Sequence, residues 1–273
     1  MIRISRPAEP KTLTVIRGHQ LSILRSLKRD PTSSEISGAY REVAEDLVSM
    51  QHHKCCYCER RVTKSYNDVE HYRPKGTAQR SPGCTLRHGY WWLAYTWENL
   101  LYSCPSCNRS EKNDLFPLAT SSVSLSAELS PPGSEIPLLI DPTGKESPAW
   151  HVKYVREAHP ETKIMYWFAM ARDDSKLGSY TIHVCGLNRK ELLTLRNYHY
   201  DTVIKAQISA LKRRVADADG RNLQYELDRA IEMCRPYQEY SLLAYEAFHS
   251  EILNKELEGI LGSGWPDLKT IFP

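Results

Sequence analysis

The sequence contains no uninterrupted run of about 18 apolar residues, which is roughly the length that a membrane-spanning helix requires. Its first segment, MIRISRPAEPKTLTVIRGHQ, also lacks the apolar stretch of about 7 to 15 residues that marks a secretory signal peptide. No internal repeat recurs at a period of roughly 20 to 50 residues, which disfavours a solenoid or a propeller. These absences predict a globular, cytoplasmic protein that has no membrane partner.

The chain also lacks a strong net charge. Its formal charge at pH 7 is +3 over 273 residues, which by itself is too small to indicate a polyanionic partner. The charge is unevenly spread, because residues 1–30 hold seven arginines and lysines against two acids. Attraction of phosphate groups and a solvated helix face explain that cluster about equally well.

Apolar residues recur at helical intervals over residues 11–29 and 37–53, which predicts two helices before the first cysteine. Residues 119–135 are rich in Ser, Pro and Gly and predict a loop or linker. Further on, the runs IPLLIDP and SYTIHVCGL predict short strands, whereas residues 189–216 and 222–261 predict helices. The predicted units are a helical N-terminal region (1–53), a core that carries the chemistry (54–118), the loop (119–135) and a mainly helical C-terminal region (136–273).

Eight cysteines occur in a chain without a secretion signal, which favours free thiols or metal ligands over disulfides. Two pairs have two intervening residues each, Cys55 with Cys58 and Cys104 with Cys107. A CxxC turn holds two sulfurs as Zn–S bonds of about 2.3 Å require, and thiolates prefer Zn²⁺ to harder cations. The spacing predicts a structural zinc site, with a redox-active CxxC pair or unligated buried thiols as alternatives. The other cysteines are assigned to packing: Cys56, Cys84, Cys185 and Cys234.

Around the second pair stand VEHYRPKG and YWWLAYTWENLLYSCPSCNRSEKNDLFPL. With Glu70-His71, Asn99 and Asn108 as its three elements, this order resembles an HNH endonuclease of the zinc-stapled ββα-metal type. Other stretches, such as CCYCERR, PLLIDPTGKESPAWHVKY and TIHVCGLNRKELLTLR, resemble the Septu PtuB family, which is also found as a retron-associated effector. The fold class implied is α+β: a zinc-stapled ββα-metal (HNH) nuclease core embedded in a mostly helical protein.

The resemblance implies a metal-dependent endonuclease that hydrolyses phosphodiester bonds of DNA or RNA as the toxic effector of an anti-phage defence system. Its implied partner is a PtuA-like ATPase. The resemblance leaves open a retron reverse transcriptase and its multicopy single-stranded DNA as partners reached through that ATPase. It also assigns roles within the site: His71 is the general base, Glu70 and Asn108 ligate Mg²⁺ or Mn²⁺, and Asn99 orients the loop that bears the histidine.

The residues themselves agree with hydrolytic chemistry. A histidine with an unperturbed pKa near 6.5 can accept a proton from water around neutral pH, and a divalent cation stabilises charge on the phosphate. Neighbouring residues of a strand face opposite sides, however. Glu70 can therefore reach a metal beside His71 only if the backbone bends there or if the metal lies at the end of the strand.

Four cations beside these elements are predicted to contact phosphates: Arg73, Lys75, Arg109 and Lys112. Lys112 is the best placed of them, one helical turn beyond Asn108, although solvated surface explains any single one about equally well. The aromatic run GYWWLAYTW suits base stacking, but the helical spacing of its rings favours core packing.

The main alternative function is a zinc-stapled module that binds nucleic acid or protein without cutting it. A pure binding module has no chemical need for a base beside a ligand for a hard metal, so the retained Glu70-His71 pair favours the nuclease. Residues 189–273 are a surplus of helix beyond the nuclease core, and we expect them to dock the ATPase.

Overall fold

The computed structural model of the protein describes residues 1–63, 67–81, 84–86, 89–218 and 220–273, and the side chains of residues 81–88 lie outside this description. Helix α1 spans Lys11–Ser26 and buries one apolar stripe, which includes Leu13 and Leu24. A 3₁₀ turn, Gly38–Val43, leads into helix α2, Ala44–Met50. The two helices predicted before the first cysteine are therefore present.

The central part of the chain is a small antiparallel ribbon with an insertion. Strand β1, Asp68–His71, pairs with strand β4, Leu100–Ser103, so that His71 lies opposite Leu100. Between them come the β2–β3 hairpin, Ala78–Ser81 and Cys84–Leu86, and two 3₁₀ turns, Trp91–Leu93 and Trp97–Asn99. A seven-residue π-helical segment, Ser106–Lys112, follows β4 and returns the chain to β1.

The C-terminal region begins with a 3₁₀ turn, Pro148–Trp150, and a second hairpin, in which β5, Val152–Ala158, pairs with β6, Met165–Ala171. Helices pack on this hairpin and on one another. They are α3 (Lys176–Val184), α4 (Lys190–His199), a π-helical segment (Tyr200–Ile204), α5 (Lys205–Ala216), α6 (Gly220–Met233), α7 (Ser241–Glu251), α8 (Asn254–Leu261) and α9 (Leu268–Ile271).

Both predicted strands of this region are wrong. SYTIHVCGL lies mostly in α3, because the Ser175 side chain caps the helix by accepting a hydrogen bond from Gly178 N. Gly178 lies so close to the residue before β5 that an added Cβ would meet His151 O at 2.1 Å, so this contact needs a glycine. In the run IPLLIDP, which the structure describes in full, only an isolated bridge from Pro137 to Leu118 forms.

The predicted loop, residues 119–135, ends at Glu135, whose carboxylate is buried and not exposed as in a flexible linker. One oxygen of the Glu135 carboxylate lies 2.9 Å from Arg73 Nε, and the other accepts hydrogen bonds from the Tyr90 hydroxyl and from Leu125 N. A linker between separate units would leave such a charge in water, whereas here it is neutralised inside the protein. The loop is therefore fastened to the central region.

Buried residues from Met1 to Phe272 form one contiguous hydrophobic cluster. The aromatic run Tyr90–Trp97 contributes to it through rings that are almost fully enclosed, as the core-packing interpretation predicted. None of the helices in the described part of the chain is long and apolar enough to span a membrane.

Candidate active site and metal centre

The four paired cysteines come together in one buried cluster. The sulfurs of Cys55, Cys58, Cys104 and Cys107 all lie within 4.8 Å of one another, and those of Cys58 and Cys104 are 3.9 Å apart. A tetrahedron with Zn–S bonds of about 2.3 Å has edges of about 3.8 Å. Four sulfurs at this spacing fit a zinc ion, and among the described residues no second group of three or more potential ligands occurs.

Local backbone geometry builds this cluster. An isolated bridge between Lys54 and Arg61 closes the first CxxC turn, in which Glu59 N donates to Cys55 O and Glu59 adopts a left-handed conformation with φ 63°. The second pair lies where β4 ends, and Asn108 N donates to Cys104 O at 3.0 Å as the helical segment begins. Zinc would therefore tie the turn before β1 to the start of the helical segment after β4.

Arg189, which the sequence analysis missed, lies against the sulfurs. Its Nη1 is 3.4 Å from Cys107 Sγ and its Nη2 is 4.0 Å from Cys104 Sγ. Burial would lower the pKa of Arg189, but the Cys107 and Cys58 sulfurs outweigh that effect and hold the pKa above its usual value. Zn²⁺ bound by four thiolates would carry a net charge of about −2, which this guanidinium would offset in part. No motif identifies Arg189, because it lies 82 residues after Cys107.

The other cysteines agree with the packing assignment where their side chains are described. Cys56, Cys185 and Cys234 are free and buried. Burial raises the pKa of the Cys56 thiol to about 11, so it remains protonated at neutral pH. The side chain of Cys84 lies outside the described residues.

His71 is held inside the protein at the end of β1. Its Nε2 lies 2.9 Å from Ala94 O, and because a carbonyl can only accept, Nε2 carries the hydrogen. In the neutral ring Nδ1 then holds a lone pair that can take up a proton. Burial, followed by the charge of Lys75, lowers the pKa of His71 to about 3, so the imidazole is neutral at pH 7. The Tyr40 ring packs edge-on against the His71 imidazole, with the two ring centres 4.6 Å apart.

Glu70 has partners on a different set of elements, as strand geometry predicts. Its Oε1 lies 2.7 Å from Lys112 Nζ and accepts a hydrogen bond from Tyr57 Oη at 3.1 Å. Lys112 Nζ also donates to His71 O at 3.1 Å. The side chains of Glu70 and Lys112 are 2% and 0% exposed. The prediction that Lys112 contacts a phosphate conflicts with this burial, because its ammonium group neutralises Glu70 and does not reach the surface.

Asn99 and Asn108 occupy different environments. Asn99 Oδ1 accepts from Arg73 N at 2.8 Å, and its Nδ2 donates to Arg73 O at 3.0 Å and to Leu93 O at 3.2 Å. These hydrogen bonds are of the kind that a loop-orienting role requires, because they fix the chain two residues after His71. Asn108 lies half-buried in the helical segment that begins at the second cysteine pair.

The remaining predicted phosphate contacts differ in their neighbours. Arg73 is bound to Glu135, and the exposed Arg109 forms a two-pronged ion pair with Asp68. Lys75 has no acidic partner in the described part of the chain, and its Nζ lies over the Tyr40 ring at 5.2 Å. The structure therefore brings only one of the four predicted cations close to His71 with its charge uncompensated.

Comparison with known proteins identifies the family. A Septu protein PtuB from Bacillus mycoides (strain KBAB4) is 30% identical to this chain over 247 residues, which cover 85% of this chain and 80% of that protein. The chain belongs to the Septu PtuB family. A Retron Vc95 putative HNH endonuclease from Vibrio cholerae serotype O1 biovar El Tor is 23% identical over 131 residues, 45% of this chain and 57% of that protein.

Members of the PtuB family are not the only Septu proteins with a similar stretch. A Septu protein PtuA from Bacillus mycoides (strain KBAB4) is 30% identical over 148 residues, which cover 54% of this chain but 19% of that protein. No family model matches the chain, and no solved structure matches it.

Proposed function

We propose that this chain is the nuclease effector of a Septu-type anti-phage defence system, an HNH endonuclease that hydrolyses phosphodiester bonds. Family membership and the name of the Vibrio cholerae relative support the reaction class. The observation that carries the proposal is His71: a neutral imidazole with Nε2 bound to Ala94 O and Nδ1 left as a proton acceptor. It lies on a two-stranded ribbon that leads into a helical segment beside a four-cysteine cluster, an order that supports the ββα-metal fold.

In the proposed reaction His71 Nδ1 removes a proton from water, and the water oxygen attacks phosphorus while the 3′ oxygen departs. The Nε2–H bond to Ala94 O keeps the ring oriented and stabilises it when it becomes charged. Asn99 holds the backbone of the following loop through both peptide groups of Arg73. An incoming phosphate would also raise the low pKa of His71, because a nearby negative charge favours the imidazolium form.

The resemblance further implies Mg²⁺ or Mn²⁺, which would stabilise charge on the scissile phosphate. Of the predicted ligands, Glu70 already has a cationic partner in Lys112, so only the amide of Asn108 is left for the ion. In proteins Mg²⁺ is usually held by one or two carboxylates together with waters and substrate phosphates, and a single neutral amide supplies no carboxylate. The predicted ligand pair therefore does not fit the ion in this arrangement. Zinc at the cysteine cluster fits, and it would cross-link the fold.

The test is cleavage by the purified full-length chain, alone and with its cognate PtuA-like ATPase, of plasmid DNA, single-stranded DNA and total RNA, with and without Mg²⁺ or Mn²⁺. We expect His71→Ala to lower the rate by about 100-fold or more while the zinc content is unchanged. His19→Ala, which alters an exposed histidine on α1, is the matched control. Cleavage by His71→Ala at the parental rate would falsify the assignment of the base.

One observation favours the alternative, a module that binds without cutting. His71 is only 6% exposed, and the carboxylate beside it is neutralised, so the site is closed in this structure. Under this alternative the chain binds nucleic acid with equal affinity before and after His71→Ala and cuts nothing under any metal condition. The cleavage assay above separates the two functions.

The PtuA-like ATPase is the proposed partner, supported by the family name, and residues 189–273 are its proposed docking region. A retron connection rests only on the name of the Vibrio cholerae relative. Deleting residues 189–273 is a poor test, because Arg189 contacts the cysteine cluster and Ser241 Oγ donates to the buried Glu59 at 2.8 Å. Surface substitutions that leave these contacts intact test the docking instead.

A further inference from the structure

A second region of the chain reaches the site from outside the predicted nuclease core. Arg41, in the 3₁₀ turn Gly38–Val43, lies with its guanidinium carbon 5.5 Å from the centre of the Tyr40 ring. Lys75 Nζ lies 5.2 Å from the centre of the same ring. That ring contacts the His71 imidazole edge-on at 4.6 Å. Two cations from segments 34 residues apart in sequence, 41 and 75, thus share one aromatic ring that touches the proposed base.

The charges of Arg41 and Lys75 are uncompensated. Across the described residues neither side chain has an ion pair or a hydrogen bond, and both reach solvent. Three other described cations near the site have acidic partners, which are Glu135 for Arg73, Asp68 for Arg109 and Glu70 for Lys112. A positive charge that is already neutralised adds little attraction for an anion. Arg41 and Lys75 are therefore the pair with charge available for a ligand.

The turn that carries Arg41 is fixed to the same segment that holds His71. Tyr95 Oη donates to Ser37 O at 3.0 Å, directly before the turn, while the neighbouring Ala94 O accepts from His71 Nε2. Ser37 Oγ also accepts from Ala39 N and caps the turn. Residues 94 and 95 therefore place both the base and the cation-bearing turn, so that Arg41 is positioned rather than left on a free surface.

We propose that Arg41 and Lys75 form a phosphate clamp beside His71 that holds the backbone of the nucleic acid at the cleavage site. The inference rests on the proposed function and extends the substrate site to the N-terminal turn at residues 38–43. Arginine suits this position because its planar fork binds two phosphate oxygens at once, while the lysine adds a point charge. The clamp reads the phosphodiester backbone and carries no base preference.

The test measures equilibrium binding of a fluorescent oligonucleotide to the full-length, zinc-loaded chain over a range of salt concentrations. The chain carries His71→Ala throughout, so that substrate is not consumed. In this background Arg41→Gln and Lys75→Gln are each compared with Arg213→Gln and Lys176→Gln, which remove one exposed positive charge elsewhere. Duplex and single-stranded probes are run in parallel.

We expect each clamp substitution to weaken binding and to reduce the slope of log K against log salt by about 0.9 for duplex or about 0.7 for single strands. The control variants should retain the parental slope. Arg41→Lys should restore the slope, since it keeps the charge, but only part of the affinity, since it lacks the fork. A structural role for Arg41 would not give this charge-dependent pattern.

Failure of the clamp and failure of the proposed function give different results. If the active chain cuts nucleic acid but both Gln variants bind like the controls, the clamp is wrong and the nuclease stands. If the slopes fall as expected but no cleavage occurs under any metal condition, the clamp is supported and the nuclease is wrong. If the chain does not bind nucleic acid at all, the clamp is overturned.

Discussion

The buried ion pair between Glu70 and Lys112 allows a quantitative test of the site. Its two charged atoms are 2.7 Å apart, and solvent reaches almost none of either side chain. Removing one partner of a buried pair costs about 3 to 5 kcal/mol, because the other charge is left uncompensated. Replacing both partners by neutral groups of similar volume is often neutral or even stabilising. Substituting one partner should therefore destabilise the protein much more than substituting both.

We expect Glu70→Gln and Lys112→Met each to lower the free energy of unfolding by about 3 to 5 kcal/mol, a large share of a total of about 5 to 15 kcal/mol. The double variant should be far less destabilised than the sum of the two, with a coupling energy above about 2 kcal/mol. Urea unfolding at saturating zinc, monitored by tryptophan fluorescence, measures the free energy of unfolding of the two single variants and of the double variant. The Tyr57 hydroxyl, which also bonds Glu70, remains in every variant.

Additive losses, equal to the sum within about 0.5 kcal/mol, would refute the reasoning. The same variants examine the metal role implied for Glu70. With Lys112 already in place, we expect Mg²⁺ to leave the urea midpoint of the parental protein unchanged. A rise in that midpoint with Mg²⁺ that Glu70→Gln abolishes would return Glu70 to the role of metal ligand.

Four further predictions concern the zinc site, the loop and the partner. Cys104→Ser should lose zinc and lower the melting temperature, because the metal site is part of the fold. Arg189→Met should keep zinc but weaken its affinity by about 10- to 100-fold in a chelator competition. Asn99→Ala should lower the cleavage rate by about 10- to 100-fold while zinc content is retained. Tyr198→Glu with Tyr225→Glu, on rings 68% and 62% exposed, should abolish co-purification of the ATPase without changing the melting temperature.

Three of these predictions have a matched control. Cys234→Ser alters a buried cysteine outside the cluster and should retain zinc, and Arg213→Met should leave zinc affinity unchanged. Tyr180→Glu, on an exposed ring of α3, should not affect recovery of the ATPase. The zinc-site roles would be contradicted if Cys104→Ser retained zinc or if Arg189→Met bound zinc with unchanged affinity. Full activity of Asn99→Ala would contradict the role of Asn99. Undiminished recovery of the ATPase with the two-tyrosine variant would contradict the docking region.

The site was predictable where its chemistry depends on short spacings. Two CxxC pairs identify the cysteine cluster because the ligand geometry is local to each turn. Strand parity also anticipated that Glu70 and His71 take different partners. The sequence position of Lys112 led to the wrong prediction that it contacts a phosphate. Lys112 does follow Asn108 by one turn in the same helical segment. The sequence around it gives no sign, however, that its ammonium group points inward and pairs with Glu70.

What the sequence did not reveal about the fold depends on one local helix cap and on contacts between distant residues. TIHV is rich in β-branched residues, yet the Ser175 cap and the close approach of Gly178 to His151 place it in a helix. Residues 119–135 do form a loop without helix or strand, but composition did not indicate that its last residue, Glu135, is held inside the protein by Arg73. Arg41 was overlooked because no motif joins it to His71, which it approaches only through the Tyr40 ring.

The contact between Glu59 and Ser241 has a consequence for synthesis of the protein. These residues are 182 positions apart, and a ribosome adding about 5 to 20 residues per second needs roughly 10 to 40 seconds to make the intervening chain. During that time the first cysteine turn exists without the helices that later enclose it. The buried centre around Glu59 is therefore complete only after nearly the whole chain has left the ribosome, so its assembly follows translation of both regions.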